Sequence, residues 1–356
     1  MKVFVCPKGV SSNVIVAQLV PLYEYCDESK VILSHVSHKE ILDNCVKNVQ
    51  YYSGYFDLFC SLNKNGQEKI YVRDVYSFYV AYFRRVLNRK VEIHYDFRAI
   101  SHIELEYKGR AKIKIYLMKL LEKFIYKKAT TVGAVSQNLL KELTRRFGNR
   151  CEQSTVFPCV YSFKPVSKDN LIEKKERLSI VYVGGLSSWQ KFDSILDFIK
   201  VLENKSKKIS FLVLTSDVVL AKRLTQSKFG SLPSYITFDT VPTREIPRVI
   251  SSYHYGIIFR DNVVMNRVSS PIKVGEYIGS GLIPIYTDGI GDYSDLFKKL
   301  DVGYSVNLNS MNDVAERIVQ NFNDGLYDEL QLKVLKVNKM FHIDSIISKH
   351  PFVCGS

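Results

Sequence analysis

No Cys-x-x-Cys pair occurs in this 356-residue chain. Its seven cysteines, Cys6, Cys26, Cys45, Cys60, Cys151, Cys159 and Cys354, form an odd and scattered set. That excludes a patterned disulfide framework and implies reduced thiols in a cytoplasmic protein. Long apolar runs are missing as well. The run opening at Met1 is far too short for a signal peptide, and nothing later approaches the roughly 20 apolar residues of a membrane-crossing helix, so neither export nor spanning is expected. There is no Asp-x-Asp pair and no histidine-rich cluster to hold a divalent cation, so no metal site is expected. Repeats and low-complexity tracts are absent, and the 18 glycines and 10 prolines are dispersed, as in an ordered globular chain.

Acidic residues are the deficit with most consequence. Against 50 Lys and Arg stand 36 Asp and Glu, a formal net charge of +14. Residues 1–164 carry about +11 of it and the rest about +3, so the front half is expected to meet something acidic. Nucleic acid would satisfy the charge, but no recognised nucleic-acid module appears. An anionic membrane surface or a phosphate-bearing lipid would satisfy it too.

The length predicts two α/β domains. In the first half, apolar β-branched runs alternate with helical patterns, the signature of βα units on a mostly parallel sheet. Strands are predicted at 2–6, 30–34, 56–60, 69–73, 91–94 and 130–135, with Ser136 as the N-cap of the following helix. Residues 160–177 are polar and aperiodic and read as a linker. A second sheet is predicted from 178–183, 209–214, 236–238, 255–259, 283–286 and 303–306. The expected division is 1–164, 165–335 and a final helix over 336–356 crossing back to the first domain. Residues 107–128 read as one basic amphipathic helix. It either lies on anionic lipid or packs its apolar stripe on the sheet with its lysines solvated.

The most informative segment is Ser270-Pro271-Ile272-Lys273-Val274-Gly275-Glu276-Tyr277. Ser270 is a good N-cap and Pro271 a good first helical residue, so a helix is predicted to open there. Its free N–H groups and positive dipole end suit a phosphate, with Lys273 adding charge. Glu276, one turn on, can accept both hydroxyls of a ribose. Taken alone, the segment is also compatible with an ordinary βα unit whose Glu276 is merely solvated.

With its neighbours it resembles the family 4 retaining glycosyltransferases of the GT-B fold, of the bacterial capsule, O-antigen and exopolysaccharide type, whose signature is Ser-Pro-x-Lys-x-x-Glu-Tyr-x-x-x-Gly. The stretch Ile180 to Lys191 resembles the strand and loop opening the donor domain of that family. Val241 to Pro247 and Tyr255 to Arg260 resemble its base-binding turn and next strand. Tyr71-Val72-Arg73-Asp74, Glu92 to Arg98 and Val132 to Leu140 follow at the family's spacings.

The resemblance implies two facing Rossmann-like domains with a cleft between them. The first, 1–164, would bind acceptor and the second, 165–335, nucleotide-sugar donor. It implies that Glu276 binds the ribose, and that Lys273 and the helix start at Ser270 hold the diphosphate, with Lys191, Arg260 and Gly185 nearby. His94 matches the family's histidine beside the transferred sugar; otherwise it is a strand-end histidine satisfied by a neighbouring carbonyl. Asn266, Arg98 and Arg73 are candidates for contacting donor sugar or acceptor, while Arg98, Arg73 and His102 could equally form ion pairs to Asp96 or Glu104. Two positions depart from the pattern. Val268 stands where many members carry a second glutamate, and Gly185 and Gln190 stand at the usual arginine and lysine places.

The implied activity is transfer of a sugar, with retention and without metal or other cofactor, to a glycan or polyprenyl-linked acceptor in cell-surface polysaccharide synthesis. The protein would be cytoplasmic and peripheral on the inner face of the membrane. The rivals are a nucleotide-sugar epimerase on the same fold, which needs cleft carboxylates such as Glu104 and Glu106, and a non-catalytic sugar-nucleotide binding protein.

Overall fold

A computed structural model describes the chain except residues 11–13, 27–28, 65–68, 151–152, 168–175, 207, 351 and 354–356. It divides into two compact units. Met1–Cys159 with Ile346–Ser356 form the first, and Val160–Ser345 the second.

The sheet of the first unit comprises β1 (Lys2–Cys6), β2 (Lys30–His35), β3 (Val49–Tyr52), β4 (Lys69–Val72), β5 (Glu92–Phe97), β6 (Thr131–Ala134) and β7 (Ser154–Val156). Every pairing is parallel, in the order β3-β2-β1-β4-β5-β6-β7. The central strands are buried on both faces, which is why β1 reads as an uninterrupted apolar run. Register places Phe4, Tyr71, His94 and Thr131 side by side across β1, β4, β5 and β6. His350 and Phe352 pack over this row. The Phe352 ring lies 5.1 Å from Phe4 and 5.5 Å from Tyr71, and Lys2 Nζ donates to the Val353 carbonyl at 2.8 Å.

The second sheet comprises β8 (Leu178–Val183), β9 (Ile209–Leu214), β10 (Ile236–Asp239), β11 (Tyr255–Ile258), β12 (Ile283–Tyr286) and β13 (Tyr304–Ser305). It too is parallel throughout, in the order β10-β9-β8-β11-β12-β13. Each sheet reverses its winding once, between β1 and β4 and between β8 and β11. In open α/β sheets ligands bind beyond the carboxyl ends of strands at that reversal.

Several expectations are corrected. Residues 56–60, predicted as a strand, lie in the helix Tyr55–Lys64. Its four-residue spacing buries Leu58 and Leu62 together and leaves Phe56 82% exposed. β3 and β7 are additional strands. The single helix predicted over 107–128 is two, Ser101–Tyr107 and Lys112–Lys128, broken where Gly109 takes φ +63°. The terminal helix is instead a series of short 3₁₀ turns, Asn338–Phe341, Ile343–Ser345 and Ile347–Lys349. Part of the proposed linker, 168–175, lies outside the described residues. The part before it is held within the second unit, where Tyr161 pairs with His342 and the Val166 N–H donates to the Gly279 carbonyl at 2.8 Å.

Candidate functional site

In the second unit, chemistry gathers where β8 ends and the helix Ile272–Gly279 begins. Tyr277 fixes that junction. Its hydroxyl accepts from the Val183 N–H at 3.0 Å and donates to the Ile257 carbonyl at 3.2 Å, tying the helix to β8 and β11. Gly256 makes room for the ring, since a Cβ there would come within 2.3 Å of it. Pro271 occupies the N-cap position in extended conformation, and no side chain caps the helix. Ser270 therefore does not cap as expected. Its hydroxyl lies 2.9 Å from the Tyr293 hydroxyl, which holds the approach to the helix in place. Among the described residues no side chain caps the first N–H groups, the usual condition for binding an anion.

Lys273 projects from the first turn. Its Nζ donates to the Gln190 side-chain oxygen at 2.5 Å and lies 4.6 Å from the centre of the Tyr182 ring. It also lies against the backbone of Gly184, which has φ +139°. Burial pushes the Lys273 ammonium well below the usual lysine range, Arg260 lowers it further, and Glu276 opposes both. Burial raises the Glu276 carboxyl to about 7 against the pull of Lys273. Arg260 is depressed by burial, and its Nε has no partner among the described residues. Its backbone is clamped by Thr287, whose hydroxyl receives the Arg260 N–H at 2.7 Å and donates to its carbonyl at 2.9 Å. Lys273 and Arg260 are two desolvated cations that act on one another, and Glu276 acts on Lys273 alone, which leaves a deficit of negative charge that a diphosphate would fill.

The other predicted residues of this unit take different places. Lys191, at φ +51° ahead of the helix Phe192–Lys205, pairs with Asp261 at 3.1 Å. The Gly185 carbonyl receives the Tyr182 hydroxyl. Asn266 is buried and donates to the Asp261 carbonyl at 2.9 Å, so it braces the loop after β11. Val268, only 4% exposed, is a core residue. Sequence reasoning missed Gly184 and Tyr182. The Gly184-Gly185 pair after a buried strand was the available signal for the first, and nothing marked the second.

In the first unit Asp96 brings Arg73 and Arg98 together at the ends of β4 and β5. Arg98 Nε lies 2.6 Å and Arg73 Nε 3.8 Å from Asp96 Oδ2, and the Tyr71 hydroxyl donates to the same oxygen. Burial alone would raise the Asp96 carboxyl; Arg98 and then Arg73 overcome that and hold it below the carboxylate range. His94 lies two residues earlier on the same strand face, 2% exposed. Its Nδ1 is 2.8 Å from the Thr131 hydroxyl, not from a carbonyl, and its Nε2 has no partner among the described residues. The ring stacks on Tyr71 and is covered by His350 at 5.2 Å and Phe352 at 5.9 Å. His102 joins neither group: its Nδ1 meets Glu122 at 2.5 Å.

No protein-family model matches the chain, and no curated protein sequence does. Solved structures do. HepE from Anabaena in complex with UDP-glucose matches at TM-score 0.72 and 13% identity, over 98% of this chain and 97% of that one. Sucrose-phosphate synthase from Thermosynechococcus elongatus matches at 0.73 and 14%, over 98% and 96%. WaaG, a glycosyltransferase involved in lipopolysaccharide biosynthesis, matches at 0.70 and 9% over the whole of both chains. The fold is therefore GT-B, two parallel-sheet α/β domains.

Proposed function

We propose that the protein is a glycosyltransferase using a nucleoside-diphosphate sugar. The observation that carries this reading is the set of Lys273, Gln190, Gly184 and Glu276 at the uncapped start of the helix Ile272–Gly279, on the winding reversal of its sheet. Lys273 and the helix N-terminus would take the diphosphate and Glu276 the ribose hydroxyls. As the glycosidic bond breaks, the same positive groups, with Arg260 and Lys191, would stabilise the leaving diphosphate.

The finer reading is a retaining, family 4 type enzyme that works without metal or other cofactor and transfers to a lipid-linked glycan in cell-surface polysaccharide synthesis. It rests on the sequence motif. Among the described residues no group of three or more His, Cys, Asp or Glu could hold a metal. His94, enclosed as it is, fits a group that positions Tyr71 and Thr131 better than one that touches the sugar. Arg73 and Arg98 are the proposed acceptor-side cations. A cytoplasmic location, peripheral on an anionic membrane through residues 107–128, draws support from the helix Lys112–Lys128. Its Ile113, Tyr116, Leu117 and Leu120 are exposed among Lys112, Lys114, Lys119 and Lys123. No helix among the described residues is long and apolar enough to cross a membrane.

The test is calorimetric titration with UDP and with GDP in the presence of a chelator, for the native protein and Glu276→Ala. Tight binding of one nucleotide that the substitution weakens at least about tenfold supports the donor site. Binding of neither overturns it.

A further inference from the structure

A cavity of about 410 Å³ opens at the carboxyl ends of β11, β12 and β13. Three loops wall it, containing Arg260–Asn262, Thr287–Asp288 and Ser305–Asn309, and only Val306 and Leu308 of its lining are apolar. Among the described residues no aromatic ring lines it, so it offers no platform for a stacked base. Its polar wall equally rejects a lipid chain.

The polar groups are held in place. Asp261 Oδ1 is fixed by Lys191 at 3.1 Å, and Asp288 Oδ1 by Lys298 at 2.6 Å and by the Ser305 hydroxyl at 3.5 Å. Each carboxylate therefore has its charge matched by a lysine. The loops carrying them are pressed together: Gly289, at φ +89°, lies where a Cβ would stand 2.9 Å from Asn262 Cα. Asn307 accepts from the Asn309 N–H at 3.0 Å, which shapes the third wall and leaves the Asn309 amide at the rim. Neutralised carboxylates and primary amides on fixed loops accept from and donate to adjacent hydroxyls, the pattern a pyranose presents.

We propose that this cavity is a sugar-binding subsite beside the diphosphate cradle, taking one pyranose of a glycan through Asp261, Asp288, Asn262 and Asn309. Only its use in transfer rests on the reading above. Arg260 and the Lys191–Asp261 pair stand where the two sites meet, so occupancy of one would be felt by the other.

The experiment is saturation-transfer NMR on the whole protein with the methyl glycosides of glucose, galactose, mannose and N-acetylglucosamine, each with and without saturating UDP. At least one glycoside is expected to receive saturation and to keep it when UDP is present. The signal should fall at least about fivefold in Asn262→Ala and in Asp288→Asn, the scale of one lost hydrogen bond. Both residues are exposed, so both variants should fold. No signal from any glycoside, a signal abolished by UDP, or a signal unchanged in both variants overturns the subsite. A glycoside signal without any nucleotide binding would sustain the subsite and overturn the transferase reading instead.

Discussion

Lys273 and Gly184 are so close that a methyl group on the glycine would come within 2.1 Å of the Lys273 nitrogen. The lysine is held there by Gln190 and lies over Tyr182, so its charge is aimed at one point beyond the end of β8. Gly184→Ala would displace Lys273 and force an unfavourable φ of +139° on an L-residue. It is expected to weaken UDP binding at least about tenfold while the circular dichroism spectrum stays native-like. Calorimetry on the purified variant measures this.

The carboxyl of Glu276 has a pH signature. Burial raises it from 4.5 to about 7 in the fold, so between those values the native state binds more protons than the unfolded chain. The contribution of Glu276 to the stability of the ligand-free protein should therefore fall as pH rises from about 4.5 to about 7, by up to about 3 kcal/mol. Glu276→Gln should remove that decline and be more stable than the native protein at pH 8. Urea denaturation of both across this range decides it.

His94 and His350 predict the opposite slope. Burial lowers His94 from 6.5 to about 4 and His350 to about 3. Both should be neutral in the fold and charged when unfolded below about pH 6, so their contribution to stability should be lost as pH falls from 6.5 toward 4, against that of Glu276. His350→Phe keeps the packing on Phe157 and His94 and should flatten this loss by about one proton. The pH dependence of the urea midpoint reports it.

Lys191 and Asp261 separate stability from function. Both are about a third exposed, and such pairs contribute at most about 1 kcal/mol. Lys191→Met should leave the melting temperature nearly unchanged and weaken nucleoside diphosphate binding several-fold. Unchanged binding would remove Lys191 from the donor site.

The exposed face of the helix Lys112–Lys128 can be tested with vesicles. The protein should float with vesicles containing anionic lipid, less at high salt, and Leu117→Ser with Lys114→Glu should abolish flotation. Ile113, 66% exposed, makes a further single-site control.

Most of both sheets was legible because buried parallel strands are continuous apolar runs, as in Val3 to Val5 and Ile180 to Val183. Such a run cannot by itself be told from one side of a helix, which is how Phe56 to Cys60 misled. β3 escaped because Gln50 and the tyrosines around it are amphipathic rather than apolar. In the site, Lys273 and Glu276 were visible through their spacing on one turn. Gly184 was not, because its importance is a single interatomic distance between segments far apart in sequence. His94 was found by resemblance, while its enclosure depends on a segment some 250 residues later.

That late segment bears on synthesis. The apolar row of Phe4 and Tyr71 is covered by Phe352, and the Lys2 ammonium donates to the Val353 carbonyl. The first unit therefore cannot finish folding when its own strands leave the ribosome. It must wait for the whole second unit to be translated, with an incomplete apolar surface in the meantime. Such an intermediate is a natural client for chaperones, and trimming the last residues would be felt at the very first strand.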